Sequence, residues 1–280
     1  MNIPCDIKLV VVDLDDTLLD SKGKISKATR TVMRQVSSKG IIVILATGRM
    51  TPCVEPFVDD LGIDCPVVVY NGAMVRDMRS AGRKILFHKT LESRFSDIVI
   101  DYCIKNNLCL NFYLDDVVYS QKNPDLKKFQ RLYSKRTGAR YVLVDDLMVF
   151  SGKRPTKLII ITDIQHRDVF RTRDYQFEYF SQLFDGKVQL FRTDPEYLEI
   201  QHRNTDKGIG VHIYAEKCKI KRNQIIAFGN GENDIAMLKY AGIGVAVKNA
   251  SEIVKKHADI IAQWSNNEDC VARILKQYIL

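Results

Sequence analysis

The stretch Leu9-Val10-Val11-Val12-Asp13-Leu14-Asp15-Asp16-Thr17-Leu18-Leu19 decides how the chain is read. Its four apolar residues, three of them Val, describe a strand buried on both faces, and the run stops abruptly in three carboxylates. In an open α/β sheet ligands bind just beyond the carboxyl ends of the strands, so these acids sit where chemistry is done. Asp13 and Asp15 are separated by one residue, which in extended backbone puts both side chains on one face. Such a pair can hold a divalent cation while one acid attacks and the other moves a proton. The plainer reading is an Asp-rich turn that caps the next helix through Asp20, Ser21 or Ser26.

Working outward, further apolar runs end in polar turns. Ile41 to Leu45 stops at Ala46-Thr47-Gly48-Arg49 and then opens a helix near Pro52. A hydroxyl and a glycine N–H at a strand-to-helix turn suit phosphate oxygens. Downstream come Lys207-Gly208, then a strand over Ile225–Phe228 followed by Gly229-Asn230-Gly231-Glu232-Asn233-Asp234. Each alone is an ordinary turn or helix start; it is their order that carries information.

Strands at 9–13, 41–45 and 66–70 alternate with helical patterns near 26–38 and 51–61. The rhythm resumes with strands near 225–228, 243–247 and 259–262 and helices near 206–217, 232–240, 250–257 and 267–278. Such alternation predicts a parallel sheet covered on both faces, a Rossmann-like, doubly wound α/β core. Between them the pattern changes. Strands such as 110–113, 157–162 and 188–191 mix with helices near 91–106 and 168–184, as in an α+β insertion with its own sheet. The expected division is residues 1–83 and 201–280 for the core and 84–200 for the insertion, with hinges near Arg79–Lys84 and Ile200–Asn204.

The bulk properties narrow the class. At 280 residues, 46% apolar and 27% charged, the chain can bury a substantial core and reads as a soluble globular protein. It has no run long enough to cross a bilayer and is expected to lack a secretory leader. Seven scattered cysteines without a C-x-x-C pair fit reduced thiols in the cytoplasm and argue against zinc. The net charge of +8 comes from bases interleaved with acids, which argues against nucleic acid and fits attraction of anionic esters. The five histidines (88, 166, 202, 212, 257) lack metal-ligand spacing and are expected to be structural or exposed.

In sequence and order the motifs resemble the haloacid dehalogenase-like hydrolase superfamily, in particular its Cof-type sugar-phosphate phosphatase branch. Asp13-Leu14-Asp15-Asp16-Thr17-Leu18 is similar to the first motif, Ala46-Thr47-Gly48-Arg49 to the second, Lys207-Gly208 to the third and Gly229 to Asp234 to the fourth. Tyr70-Asn71-Gly72-Ala73 and Gly242 to Ala250 fit the same branch. The resemblance implies a Mg²⁺-dependent phosphatase in which Asp13 is the nucleophile and Asp15 the general acid and base. It implies phosphate contacts from the Leu14 and Gly48 N–H groups, Thr47, Lys207 and Asn233. Its metal set would be Asp13, Asp15 (through its backbone carbonyl), Asn230 and Asp234, and the insertion would be a cap that sets specificity. The implied partner is a small phosphorylated metabolite, with sugar phosphates leading and neither nucleic acid nor membrane involved; the chain would be a monomer or homodimer.

One position departs from the family pattern. The fourth motif normally reads Gly-Asp-x-x-Asn-Asp, and here Asn230 stands at the first Asp, a direct metal ligand. An amide oxygen coordinates Mg²⁺ without charge, so the expectation is weakened metal affinity, with Asp234 acting through a metal-bound water. The rival readings are a receiver-like phosphotransfer module and a catalytically weak phosphate-binding homologue. The first needs a lone acceptor Asp on the third strand, where this chain has Tyr70-Asn71-Gly72.

Overall fold

The computed structural model describes residues 6–78, 83–162 and 172–280. The chain forms two compact units: the first runs to His88 and resumes at Asp206, and the second spans Lys89–Thr205.

The first unit is built on an eight-stranded sheet. Its strands are β1 (Leu9–Asp13), β2 (Ile42–Ala46), β3 (Val67–Val69), β4 (Met74–Arg76), β5 (Ile85–His88), β12 (Ile225–Gly229), β13 (Ile243–Ala246) and β14 (Ile260–Ile261). Their order is β14-β13-β12-β1-β2-β3-β4-β5. The six strands from β14 to β3 are parallel, and β4 and β5 add an antiparallel edge. Parallel strands need crossover helices, which bury both faces. Leu9, Val10, Val11 and Val12 are accordingly fully buried, each contributing about 1.5–3 kcal/mol. The helices are α1 (Lys27–Ser38), α2 (Thr51–Leu61), α6 (Lys207–Lys217), α7 (Ile235–Tyr240), α8 (Glu252–Lys255) and α9 (Cys270–Tyr278). Ser26 caps α1 by accepting from the Thr29 N–H, as one of the sequence readings required, and Pro52 sits in the first turn of α2, where its missing N–H costs nothing.

The second unit carries a six-stranded sheet in the order β10-β11-β9-β6-β7-β8. These are β6 (Cys109–Leu114), β7 (Val117–Gln121), β8 (Tyr141–Val144), β9 (Lys157–Ile161), β10 (Val188–Asp194) and β11 (Tyr197–His202). Helices α3 (Ser93–Lys105) and α5 (Arg173–Phe184) supply Phe95, Val99, Phe180 and Phe184 to a core with Phe112, Leu158, Ile160, Leu198 and Ile200. Helix α4 (Lys127–Thr137) joins β7 to β8; from it Gln130 donates to Ser120, and Tyr133 shares a 2.6 Å hydrogen bond with Tyr113.

The parallel sheet and the α+β insertion are as expected, but the units divide about five residues later than 84 and 200 at both ends. Ile85–His88 completes the edge of the first sheet, and Tyr197–His202 pairs with β9 and β10 in the second. Ile200 is therefore mid-strand, not at a hinge. Residues 79–82 of the other expected hinge, His166, Cys5 and the start of the 168–184 helix lie outside the described residues. Among the described residues no helix is long and apolar enough to cross a membrane.

Candidate active site

The register of the parallel strands brings the motifs together. Val12 pairs with Phe228 and Asp13 with Ala46, while Ala46 pairs with Val68 and Gly229 with Ala246. Five neighbouring strands thus end at one level, and their following turns share one crevice. Lys207 reaches the same place from the start of α6, a helix capped by the Asp206 side chain accepting from the Ile209 N–H.

Asp13 is the centre. Its Oδ1 accepts from Lys207 Nζ at 2.6 Å, and the same ammonium lies 2.5 Å from Asp234 Oδ1. All three side chains are at most 7% exposed. Two carboxylates for one ammonium leave negative charge in excess. Burial, the nearby Asp234 charge and, more weakly, Asp15 push the Asp13 carboxyl up to about 8 against the pull of Lys207. Burial alone would lower the Lys207 ammonium, but Asp13 and Asp234 outweigh it and hold its pKa above the ordinary value.

Asp13 and Asp15 do not share one extended face, as their spacing predicts. The strand ends at Asp13, and a wide turn over Leu14–Leu18 follows, with Asp16 at φ +55°. The Asp15 side chain is 54% exposed and is gripped by Arg49, whose Nε lies 2.9 Å from Oδ2 and whose Nη2 lies 2.6 Å from Oδ1. Its carbonyl instead turns toward Asn230. With the Asn230 nitrogen turned to this loop, it donates to Thr17 Oγ1 at 2.9 Å, the Asp15 carbonyl at 3.0 Å and Asp13 Oδ2 at 3.3 Å. With the amide reversed, Thr17 Oγ1 donates to Asn230 Oδ1 at 2.9 Å, which leaves that oxygen facing two other acceptors.

That convergence is a test of whether a metal fits. Oxygens of Asp13, the Asp15 main chain and Asn230 facing one another repel unless an N–H or a cation lies among them. An all-oxygen set of this kind suits Mg²⁺, with waters completing its coordination. Asp234, the fourth expected ligand, is otherwise engaged. Oδ1 is on Lys207, and Oδ2 accepts from the N–H groups of Asn230 and Gly231 at 2.9 Å. It shapes the turn and anchors the lysine. Gly229 permits this: a Cβ there would lie 2.5 Å from Asp234 Cβ.

Thr47 is buried at the end of β2 and its Oγ1 accepts from the Arg49 N–H at 3.1 Å. Gly48 faces Asn71, whose Oδ1 would be 3.0 Å from an added Cβ. Asn233 Nδ2 donates to that same Oδ1 at 3.0 Å. Asn71 was legible only as part of a family-like run. Its fully buried side chain and φ of +49° make it the brace between Gly48 and Asn233. Gly72 follows it at φ +91°, where a Cβ would overlap the Asp206 carbonyl at 1.8 Å; only glycine lets this turn meet the start of α6. Asn249 braces the acid loop by donating to the Asp16 carbonyl at 2.8 Å. Arg49, the last residue of the turn after β2, forms its ion pair with Asp15 inside the first unit.

The chain is similar to known proteins along nearly its whole length. The family model described as haloacid dehalogenase-like hydrolase matches residues 10–275. A Bacillus subtilis protein named 5-amino-6-(5-phospho-D-ribitylamino)uracil phosphatase is 29% identical over 276 residues, covering 96% of this chain and 97% of its own. The crystal structure of a haloacid dehalogenase-like hydrolase from Bacteroides thetaiotaomicron superimposes with a TM-score of 0.84 at 27% identity, covering 97% of this chain and 99% of that one. A subclass IIB sugar phosphatase shares the fold with a TM-score of 0.81 at 21% identity, covering 97% of this chain and 98% of its own.

Proposed function

The chain belongs to the haloacid dehalogenase-like hydrolase family, and from that premise we propose that it is a Mg²⁺-dependent phosphatase of small phosphate monoesters acting through an aspartyl-phosphate on Asp13. The observation that carries the reading is the meeting of Asp13, Lys207, the Asp15 carbonyl and Asn230 at the end of β1.

A phosphate monoester resists anionic nucleophiles because its oxygens repel them. Lys207 offers a fixed positive charge beside Asp13, and the N–H groups of Leu14 and Gly48, the Thr47 hydroxyl and the Asn233 amide complete the cradle. Asp13, the Asp15 carbonyl and Asn230 would hold Mg²⁺. When bound, the ion supplies further neutralisation of the phosphoryl oxygens and favours ionised Asp13. An Asp13 oxygen attacks phosphorus, the ester P–O bond breaks, and Asp15 gives its proton to the leaving alkoxide. Water then attacks the same phosphorus, Asp15 takes its proton, and the bond to Asp13 breaks to release phosphate. For this Asp15 must part from Arg49, whose guanidinium occupies both of its carboxylate oxygens.

Substrate choice is assigned to the inserted unit, because the four motifs lie outside it. The relative acting on a phosphorylated ribityl compound supports a polyhydroxylated substrate, with sugar phosphates leading. Phosphate release from p-nitrophenyl phosphate should require Mg²⁺ and fall to background in Asp13→Asn, whose amide cannot form the acyl phosphate. Full activity in pure Asp13→Asn would end this mechanism.

A further inference from the structure

The six-stranded sheet ends at β8, which with its flanks reads Arg140-Tyr141-Val142-Leu143-Val144-Asp145-Asp146. Exposed edge strands are usually blunted by Lys, Pro or a bulge, and this strand carries no Lys or Pro. Its Val142 and Leu143 are 47% and 48% exposed, on opposite faces. The backbone direction follows from the ladder with β7. Val144 pairs with Gln121, and its carbonyl accepts from the Lys122 N–H at 2.7 Å, so Val144 and Val142 address β7. By strand alternation the N–H and C=O groups of Tyr141 and Leu143 point away from the sheet.

We infer that β8 pairs with β8 of a second copy, antiparallel across a two-fold axis, to make one continuous sheet. Such an axis, perpendicular to the sheet, keeps every residue on its own face, so opposed residues must be an even number apart or identical. Leu143 opposite Leu143 satisfies this and uses the outward groups of both strands. In that register Val142 meets Val144, and Arg140 meets Asp146 of the second copy on the same face. The segment is self-complementary in charge, a base at its start and acids at its end. Asp146 already caps the following turn through Oδ1, accepting from Met148, and Asp145 lies 4.0 Å from Lys122. Opposed charges of opposite sign stabilise antiparallel pairs and fix their register. With few residues joined the dimer is of the weak, small-interface class.

Sedimentation velocity of the full chain from about 1 to 100 µM tests this, reading a monomer–dimer equilibrium. Leu143→Pro deletes only an outward N–H, so the β7 ladder stands; the dissociation constant should rise at least tenfold while activity on p-nitrophenyl phosphate is unchanged. Arg140→Glu should weaken the dimer comparably by facing Asp146, and Arg140→Glu/Asp146→Asn should recover part of the loss while keeping an Asn cap. If Leu143→Pro fails to fold, the exposed Arg140 variants decide alone. A chain monomeric throughout the range, or a dimer indifferent to both substitutions, overturns the inference.

Discussion

Lys157 and Lys207 are each about 1% exposed, one in each unit, and both are held by carboxylates. Lys157 lies on β9, 3.1 Å from Glu199 of neighbouring β11, with the Tyr113 ring 5.1 Å from its nitrogen; Glu199 also accepts from Thr193 at 3.0 Å. That pair sets the ammonium of the first residue of β9 against a carboxylate in the middle of β11. Lys207 stands where β1 and β12 end, between Asp13 and Asp234, with acid in excess. A buried ion pair by itself therefore marks nothing. Excess carboxylate at the ends of parallel strands is charge still to be balanced, by a proton on Asp13 or by a cation, and that imbalance makes a site reactive.

The strongest way to break this comparison is to replace each lysine by Met. Lys207→Met leaves two buried carboxylates facing each other, so turnover of p-nitrophenyl phosphate should vanish and stability should fall by about 3–5 kcal/mol. Lys157→Met should also lose stability, because it takes the ammonium away from buried Glu199, and yet keep turnover in its folded fraction. Lys157→Met/Glu199→Leu should regain most of that loss, because well-packed apolar pairs often equal a buried ion pair. Urea melts beside activity measurements read all three. A folded Lys157→Met without turnover would put the second lysine into the chemistry and dissolve the distinction.

Within the site the same contrast separates Asp13 from Asp15, one buried on an ammonium and the other exposed on a guanidinium. On the proposed mechanism Asp15→Asn removes the general acid but neither the nucleophile nor the carbonyl facing Asn230. Turnover should fall by about 10²–10⁴-fold with the Mg²⁺ requirement retained. A loss as complete as that of Asp13→Asn, with metal dependence shifted, would mean that the side chain helps hold the ion.

The excess of acid also has a signature in stability. The Asp13 carboxyl titrates near 3.9 in an unfolded chain and is pushed up to about 8 by burial and by Asp234. The folded state thus holds this proton more tightly. Its contribution is complete below pH about 4, and is lost as pH rises through the window from about 4 to 8. Metal-free protein should lose several degrees of Tm across that window on this account. Asp13→Asn should show a flatter profile and melt higher than wild type at pH 8.5, where added Mg²⁺ should raise the wild type more. Parallel profiles would mean that Asp13 is already charge-balanced by Lys207.

How much of this was legible follows from what each residue depends on. The run Leu9–Asp13 betrayed a central strand because burial on both faces leaves no polar position, and strand ends carrying Thr47 and Asn230 could be aligned from order alone. Strands β8 and β11 were harder: Tyr141–Val144 is short and half-exposed, while Tyr197–His202 mixes Glu199 and Gln201 into its buried run, so neither shows clean patterning. In the site, Asp13 and Lys207 were legible as types, but their contact joins residues 194 apart in sequence. Arg49 on Asp15 and Asn71 between Gly48 and Asn233 depend on turn geometry, including positive φ at Asp16 and Asn71, which residue spacing does not encode. Spacing therefore misplaced the Asp15 side chain: it assumed extension through Leu14, where the strand had already ended.

The smallest expected effect concerns Asn230. Its amide touches the Asp15 carbonyl and the Asp13 carboxylate, so Asn230→Asp would add a charge to the same oxygen set. A unit charge about 4 Å from a dication gains several kcal/mol gross at an effective dielectric near 20, and much of that is cancelled by desolvation. Without metal the extra carboxylate faces Asp13 and the Asp15 carbonyl with no N–H to offer, so the apo variant should be less stable than wild type. With metal the sign reverses: half-saturating Mg²⁺ should fall by about tenfold, or about 1.4 kcal/mol net, while the saturated rate changes less because Asp13, Asp15 and Lys207 are untouched. Rate titrations against Mg²⁺ for both proteins measure it. Equal half-saturation points would remove Asn230 from the metal set and return Asp234 to it, at the expense of its bond to Lys207.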